Sequence, residues 1–86
     1  MASEKKLIGK VTHYFSKINV AGIQLSGTLK VGNKISIEGA TTNFEESIDS
    51  MQIDNKAVIE AKSGDMIGIK VKDKTREGDN VFLIEE

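Results

Sequence analysis

Three short stretches set the architecture of this chain: Val31-Gly32-Asn33-Lys34-Ile35, Ser63-Gly64-Asp65-Met66-Ile67 and Glu77-Gly78-Asp79-Asn80-Val81. Each places a Gly-Asn or Gly-Asp pair two residues before a β-branched apolar residue. Glycine tolerates positive φ, and an Asn or Asp side chain hydrogen-bonds to nearby backbone, so each pair predicts a turn that opens a strand. Three such turns in 86 residues indicate an all-β chain built from many short strands.

Apolar and polar residues alternate in the segments around these turns. The predicted inward sets are Ile35 and Ile37, then Ile67, Ile69 and Val71, and upstream Ala21, Ile23 and Leu25. Alternation with a period of two predicts half-buried strands whose apolar face points into a small barrel. Residues 7–15 predict a first strand with a bulge near His13-Tyr14, and residues 80–84 predict the last strand.

Residues 43–53 fit two structures. Phe44, Ile48 and Met51 recur at the spacing of one helix face, which predicts a short amphipathic helix. A strand over the same residues would place Met51 and Ile53 on one face, and Phe44 and Ile48 on the other. The periodicity alone leaves both open.

The composition predicts one domain, with a tail over residues 1–5 and a single β-barrel over residues 6–86. The chain has no cysteine, which favours a reducing compartment, and no apolar run follows Lys5 and Lys6, which argues against a signal peptide. The longest apolar stretches are three or four residues, far shorter than a transmembrane span. We therefore expect a cytoplasmic protein that does not enter a membrane.

The charges are unevenly distributed along the chain. The net charge of −1 argues against an obligate nucleic-acid binder. Residues 1–36 nevertheless carry six lysines and one glutamate, whereas residues 37–86 carry six basic and twelve acidic side chains. Such asymmetry can mark a binding face, and it disappears where early and late strands interleave around a barrel.

Catalytic chemistry is not predicted from these residues. His13 is the only histidine, and its neighbours Thr12 and Tyr14 would point to the opposite face of a strand. The acidic cluster Glu45-Glu46-Asp49 fits a solvated edge better than a metal site. We therefore expect no catalytic residue, no metal, no cofactor and no enzyme activity.

A binding surface is predicted around Lys10, His13, Tyr14 and Lys17. Lysines interleaved with aromatic rings suit single-stranded nucleic acid, because lysines meet phosphates and rings stack on bases. In the alternative interpretation, Phe15 and also Tyr14 fill the core and leave only scattered lysines. Protein contact would use the same surface, or the loop over residues 73–77.

Residues 22–39 resemble the second domain of translational GTPases such as elongation factor Tu, in the pattern G-x-x-x-x-G-x-[LI]-K-x-G-[DE]-x-[VI]-x-[IV]-x-G. Residues 61–69 and 76–81 resemble later parts of that domain, so the likeness covers about residues 7–84. Residues 39–46 are also similar to the barrel of some collagenase-like peptidases and to small free-standing archaeal proteins described as elongation-factor-like.

The translation-factor resemblance implies a six-stranded closed or nearly closed antiparallel β-barrel, with a strand within residues 43–53. It does not imply nucleotide binding, since the chain lacks a phosphate-binding G-x-x-x-x-G-K-[ST] loop. It implies a non-catalytic module whose partners would be tRNA, rRNA or a translation factor. In the pocket for the tRNA 3′ end, Gln52 and Asn55 stand where the family has charged residues, and the Gln52 amide could still pair with a base edge. The alternative is a protein-interaction adaptor that kept the fold with an unrelated partner.

Overall fold

The computed structural model describes residues 4–40, 42–54 and 56–85, and these residues form strands joined by turns. The strands are β1 (Glu4–Phe15), β2 (Val20–Leu25), β3 (Leu29–Lys30), β4 (Lys34–Glu38), β5 (Asn43–Ser47), β6 (Met51–Ile53), β7 (Lys56–Val58), β8 (Glu60–Ala61), β9 (Met66–Lys70) and β10 (Asn80–Glu85). The first strand begins inside the predicted tail, at Glu4. Asn55 and residues 1–3 of that tail lie outside the described residues.

Two antiparallel sheets make up the fold. The larger has eight strands in the order β5-β4-β10-β1-β2-β9-β6-β7, and the smaller pairs β3 with β8. The all-β, antiparallel prediction is confirmed. Among the described residues the pairing gives an eight-stranded sheet and a separate pair in place of six strands, because the chain makes four short strands between residues 43 and 61. Closure of the strands into a barrel stays a prediction.

The three predicted turns share one hydrogen-bonding pattern. Gly32, Gly64 and Gly78 have φ values of +96°, +94° and +90°, a conformation that costs glycine little. In each turn the backbone N–H of the following Asn or Asp donates to the carbonyl three residues earlier, at 3.0–3.1 Å. The same Asn or Asp accepts a hydrogen bond through its side chain, at 2.8 Å, from the N–H of that earlier residue. These reciprocal bonds open β4, β9 and β10 as predicted.

Residues 43–53 form strands, not a helix. Strand β5 pairs with β4, and β6 pairs with β9 and β7. Between them Ile48 is buried and exchanges backbone hydrogen bonds with the turn before β4: Gly32 N–H donates to Ile48 O, and Ile48 N–H to Asn33 O, both at 2.8 Å. The apparent helical spacing therefore comes from two strands and the bend that joins them.

The core consists of the inward residues of both sheets, mostly isoleucine, valine and leucine. Ile8, Val11, Ile23, Ile35 and Ile69 are each at most 1% exposed. Strand β1 crosses this core with two changes of register, between Leu7 and Gly9 and between Val11 and His13. The second lies within two residues of the predicted bulge, and a bulge reverses which side chains face inward beyond it. The described residues include no helix with the length and hydropathy needed to cross a bilayer.

Candidate binding groove

A row of four residues crosses the outer face of the large sheet. His13 on β1 is paired with Gly22 on β2, Gly22 with Gly68 on β9, and Gly68 with Gln52 on β6. The neighbours of this row along each strand are buried, as Ala21 and Met51 are, or half-buried, as Tyr14 is, so the row itself faces outward. Three interstrand spacings of about 4.8 Å place His13 and Gln52 about 14 Å apart.

Two glycines leave the centre of this outer face recessed, because no side chain covers the backbone there. A Cβ atom on Gly22 would meet only ordinary van der Waals contacts, the nearest being His13 O at 3.5 Å, and one on Gly68 would approach Val20 Cγ1 at 3.3 Å. Because neither residue has a side chain, the surface between His13 and Gln52 is a shallow groove. Its volume is about 440 Å³, and its lining includes Phe15, Ile18, Val20, Gln52, Asp54 and Met66.

The groove brings three large, exposed apolar side chains together. Phe15 is 48% exposed, Ile18 60% and Met66 51%. Phe15 ends β1, Ile18 lies in the β1–β2 turn, and Met66 begins β9. Clustered exposed apolar residues with a polar rim indicate a contact surface more than isolated ones do.

The β1–β2 turn that carries Ile18 is held by local bonds. Asn19 adopts a φ of +53°, which asparagine tolerates better than most residues. Its side-chain Oδ1 accepts a hydrogen bond from the Tyr14 hydroxyl at 3.1 Å, and its carbonyl accepts one from Val71 N–H at 2.8 Å. The turn is therefore fixed against both β1 and the segment that follows β9.

His13 stands at the rim of the groove. Its ring lies 4.3 Å from that of Phe15, centroid to centroid, with a tilt of 58°. Its Nδ1 atom is 3.7 Å from Oε1 of Glu77, and both side chains are more than half exposed. An exposed pair of this kind contributes little to stability. The arrangement can present an imidazole beside an aromatic ring to a ligand.

The structure places the predicted binding residues in three different surroundings. His13 and Gln52 share the groove row, and Lys17 lies exposed in the β1–β2 turn. Lys10 is exposed on β1 opposite Gln24, outside the groove lining. Tyr14 points the other way, is half-buried and packs against the core.

The expectation that Phe15 fills the core is wrong, because Phe15 is half exposed. The bulge between Val11 and His13 shifts the alternation by one residue, so Tyr14 takes the inward place opposite buried Ala21. Sequence reasoning also missed Ile18, Met66 and the paired glycines. Met66 and Gly68 did alternate with the buried isoleucines of β9, which placed them on the outer face.

The basic N-terminal half is partly neutralised by later strands. Lys5 donates a 2.8 Å hydrogen bond to Glu38, and Lys30 and Lys34 approach Glu60 and Glu45 at 3.6 Å. The bond from Lys5 lowers the pKa of Glu38 below its usual value. Among the described residues no carboxylate lies within ion-pair distance of Lys10, Lys17 or Lys70, which remain as positive charge around the outer face. The described part of the chain contains no group of three His, Cys, Asp or Glu side chains placed to hold a metal ion.

Comparison with known proteins connects the chain to peptidases. No protein-family model matches it. It is 45% identical over 80 residues to an uncharacterized protease of Methanocaldococcus jannaschii, and 32% identical over 85 residues to a collagenase of Porphyromonas gingivalis. These matches cover 92% and 96% of the chain, but the chain spans only 20% and 24% of the length of these relatives.

Two solved structures of a peptidase C-terminal domain have the same fold as this chain. The C-terminal domain of a candidate U32 peptidase from Geobacillus thermoleovorans superposes with a TM-score of 0.86, at 18% identity, covering 94% of this chain and 93% of that domain. Its selenomethionine variant superposes with a TM-score of 0.85, covering 88% of this chain and 96% of that one. The fold is therefore that of this C-terminal domain.

These findings correct the assignment to a translation-factor second domain of the elongation factor Tu type, and with it the RNA-binding module that the assignment implied. The relatives are named as a protease and a collagenase, and the superposed structures are peptidase C-terminal domains. The likeness of residues 39–46 to collagenase-like peptidases agrees with the comparisons. The translation-factor likeness rested on Gly-Asp and Gly-Asn turns, which any sheet of short strands uses to open a strand.

Proposed function

We propose that the chain is a non-catalytic accessory domain of a peptidase-type protein, and that its outer-face groove holds an extended polypeptide. The observation that carries this proposal is the glycine-floored groove beside Phe15, Ile18 and Met66. The chain matches about a fifth of the length of a protease and a quarter of that of a collagenase. These partial matches favour an accessory role beside a separate catalytic part.

The groove has the features that an extended chain needs. Absent side chains at Gly22 and Gly68 let a peptide backbone approach the sheet face. The Gln52 amide at one rim can donate to a peptide carbonyl and accept from a peptide N–H. Exposed Phe15, Ile18 and Met66 supply apolar contact for alternate side chains of the bound segment.

The surrounding charges favour an acidic segment. Lys17 and Lys70 flank the groove end at which β1 finishes and β2 begins, and neither is within 4 Å of a described carboxylate. Asp54 is the acidic residue in the groove lining. A polypeptide that alternates acidic and apolar residues would place its carboxylates near the lysines and its apolar side chains in the groove.

Two further points belong to the proposal. The small β3–β8 pair continues by one residue, where Val31 N–H donates to Ile59 O at 2.9 Å, and Ile59 joins β8 directly to β7 of the large sheet. We propose that this pair curls the strands into a barrel-like wall with the groove on its outside. The chain works in the cytoplasm in this proposal, in keeping with its lack of cysteine.

The test is fluorescence anisotropy with a ten-residue peptide that alternates glutamate with leucine or phenylalanine. Both peptide ends are capped, so that only its extended body is offered. We expect saturable binding that Phe15→Ala weakens about tenfold or more, since truncating a central aromatic contact commonly costs at least about 1.4 kcal/mol. Leu7→Ala is the matched control, because Leu7 is on the same strand and 51% exposed but outside the groove.

The result that contradicts the groove is absent binding, or equal losses in the Phe15→Ala and Leu7→Ala variants. The non-catalytic part is checked on the same samples by mass spectrometry after prolonged incubation. The peptide should remain intact, and hydrolysis by this chain alone would overturn that part of the proposal.

A further inference from the structure

A second pocket lies at the end of the large sheet, between the β4–β5 turn and the segment that joins β9 to β10. Its volume is about 430 Å³. The described residues that line it are Thr42, Asn43, Phe44, Asp73, Lys74 and Arg76. None of these six lines the groove, so the pocket is a separate feature of the surface.

The backbone that presents Arg76 is firmly placed. Arg76 N–H donates to Oδ2 of Asp79 at 2.8 Å, and Asp79 is only 5% exposed. Val11 N–H donates to Asp79 O, and Gly78 N–H to Val11 O, both at 2.8 Å. Thr75, between Lys74 and Arg76, is 4% exposed and anchors the segment in the protein. The two flanking cations are therefore presented from a fixed backbone.

The opposite wall of the pocket, formed by the β4–β5 turn, contacts the same Asp79 carboxylate through Gly39. A methyl group on Gly39 would overlap Oδ1 of Asp79, so the Asp79 side chain fits against the start of the β4–β5 turn only because residue 39 is glycine. Gly39 N–H donates to Thr42 O at 2.7 Å and fixes the turn that carries Thr42 and Asn43. The close approach of Gly39 to the buried Asp79 carboxylate thus holds the two walls next to each other.

The lining combines cations with neutral donors. Arg76 is the only arginine of the chain. No described carboxylate lies within ion-pair distance of Arg76 or Lys74. Asp73 lines the pocket too, and its Oδ1 already accepts a 2.9 Å hydrogen bond from Lys74 N–H. Two cations and one carboxylate leave a net charge of +1, which matches a single carboxylate better than a phosphate dianion.

We propose that this pocket binds the C-terminal carboxylate of a peptide. The planar Arg76 guanidinium can donate two parallel hydrogen bonds to a carboxylate, and Lys74 adds a second charge. The Asn43 amide and Thr42 hydroxyl can bond to the last peptide unit, while half-buried Phe44 offers an apolar wall to the last side chain. Asp73 can accept the N–H of that residue and repels an anion of higher charge. The inference does not depend on the groove.

The experiment is isothermal titration of the full chain with an N-acetylated tripeptide ending in leucine, compared with the same tripeptide as its C-terminal amide. We expect binding of the free acid and at least a tenfold weaker affinity for the amide. Inorganic phosphate is the third arm, and it should bind more weakly than the free acid.

Variants assign the binding to the pocket. Arg76→Lys keeps the positive charge but loses the two parallel hydrogen bonds of the guanidinium, so we expect affinity for the free acid to fall several-fold. Arg76→Gln loses both the charge and these bonds, and the affinity should fall at least tenfold. Lys62→Gln removes an exposed charge elsewhere and should leave it unchanged.

Phe15→Ala should also leave binding of the free acid unchanged, which separates this result from that of the groove. Equal binding of acid and amide, tighter binding of phosphate than of the acid, or full affinity in Arg76→Gln would each overturn the proposal. Proton NMR of each variant checks that the chain remains folded.

Discussion

Replacing Gly39 by alanine tests the contact that joins the β4–β5 turn to the segment before β10. The φ of Gly39 is not in the left-handed region, so alanine brings no backbone strain at this position. The added methyl group would instead overlap the carboxylate of Asp79, which is buried and accepts the Arg76 N–H. The turn or the carboxylate must move.

The expected cost follows from these contacts. Overpacking of a buried site costs about 1–3 kcal/mol, and loss of a hydrogen bond to a charged group costs about 1.5–3 kcal/mol. Against these stands a gain of about 0.4–1 kcal/mol, because alanine restricts the unfolded chain. The net loss should be about 2 kcal/mol or more, which at an m-value of about 1 kcal/mol/M lowers the urea midpoint by about 2 M.

Urea unfolding followed by far-UV circular dichroism is the assay, and Gly22→Ala is the control. A Cβ atom on Gly22 meets only ordinary van der Waals contacts, so its midpoint should stay close to that of the parent. The decisive measurement is a double-mutant cycle with Asp79→Ala. Without the carboxylate, Gly39→Ala should cost little. If the loss is the same with and without the Asp79 side chain, the steric reasoning is refuted.

Two further stability predictions follow from single side chains. Burial raises the pKa of Glu46, so its ionised form weakens the fold and stability falls as pH rises through the carboxyl range. Glu46→Gln should therefore raise the urea midpoint at pH 7 and have no advantage near pH 3, whereas Glu38→Gln, whose carboxyl has a lowered pKa, should lower the midpoint at pH 7 and have little effect near pH 3. Identical pH profiles for both variants would contradict this assignment. Removing a turn side chain should cost about 1 kcal/mol in Asp65→Ala, where the bond to Lys62 N–H is exposed, and more in Asp79→Ala, where the carboxylate is buried. Thermal unfolding of the two variants checks this order, which an equal or reversed loss would contradict.

The turns and the inward faces of β2, β4 and β9 could be predicted because their causes are local. Positive φ at Gly32, Gly64 and Gly78 and the side-chain bonds of the following residues depend on four adjacent positions. The order of the strands depends on pairings such as β1 with β10, which join the two ends of the chain. A single sequence carries no local signal for such a pairing.

Strand β1 shows why the predicted binding surface was only partly right. Its two register shifts make the inward residues Ile8, Val11 and Tyr14 recur every third position instead of every second. Strict alternation from Val11 would have buried His13 and Phe15 and exposed Tyr14. The bulges reverse this choice, so a rule that assigns aromatic residues to the core is right for Tyr14 and wrong for Phe15.

The groove could not be predicted from its glycines because its cause is a pairing between two strands. A glycine inside a strand predicts only a weak point or a close approach. Gly22 and Gly68 form the floor of the groove only because the register places them side by side on β2 and β9, between His13 and Gln52. One absent side chain would leave only a local depression, whereas two adjacent absent side chains leave the groove across the sheet. Filling either position should therefore be enough: Gly22→Val and Gly68→Val should each weaken peptide binding in the anisotropy assay. Ser47→Val, at an exposed position of β5 outside the lining, should not.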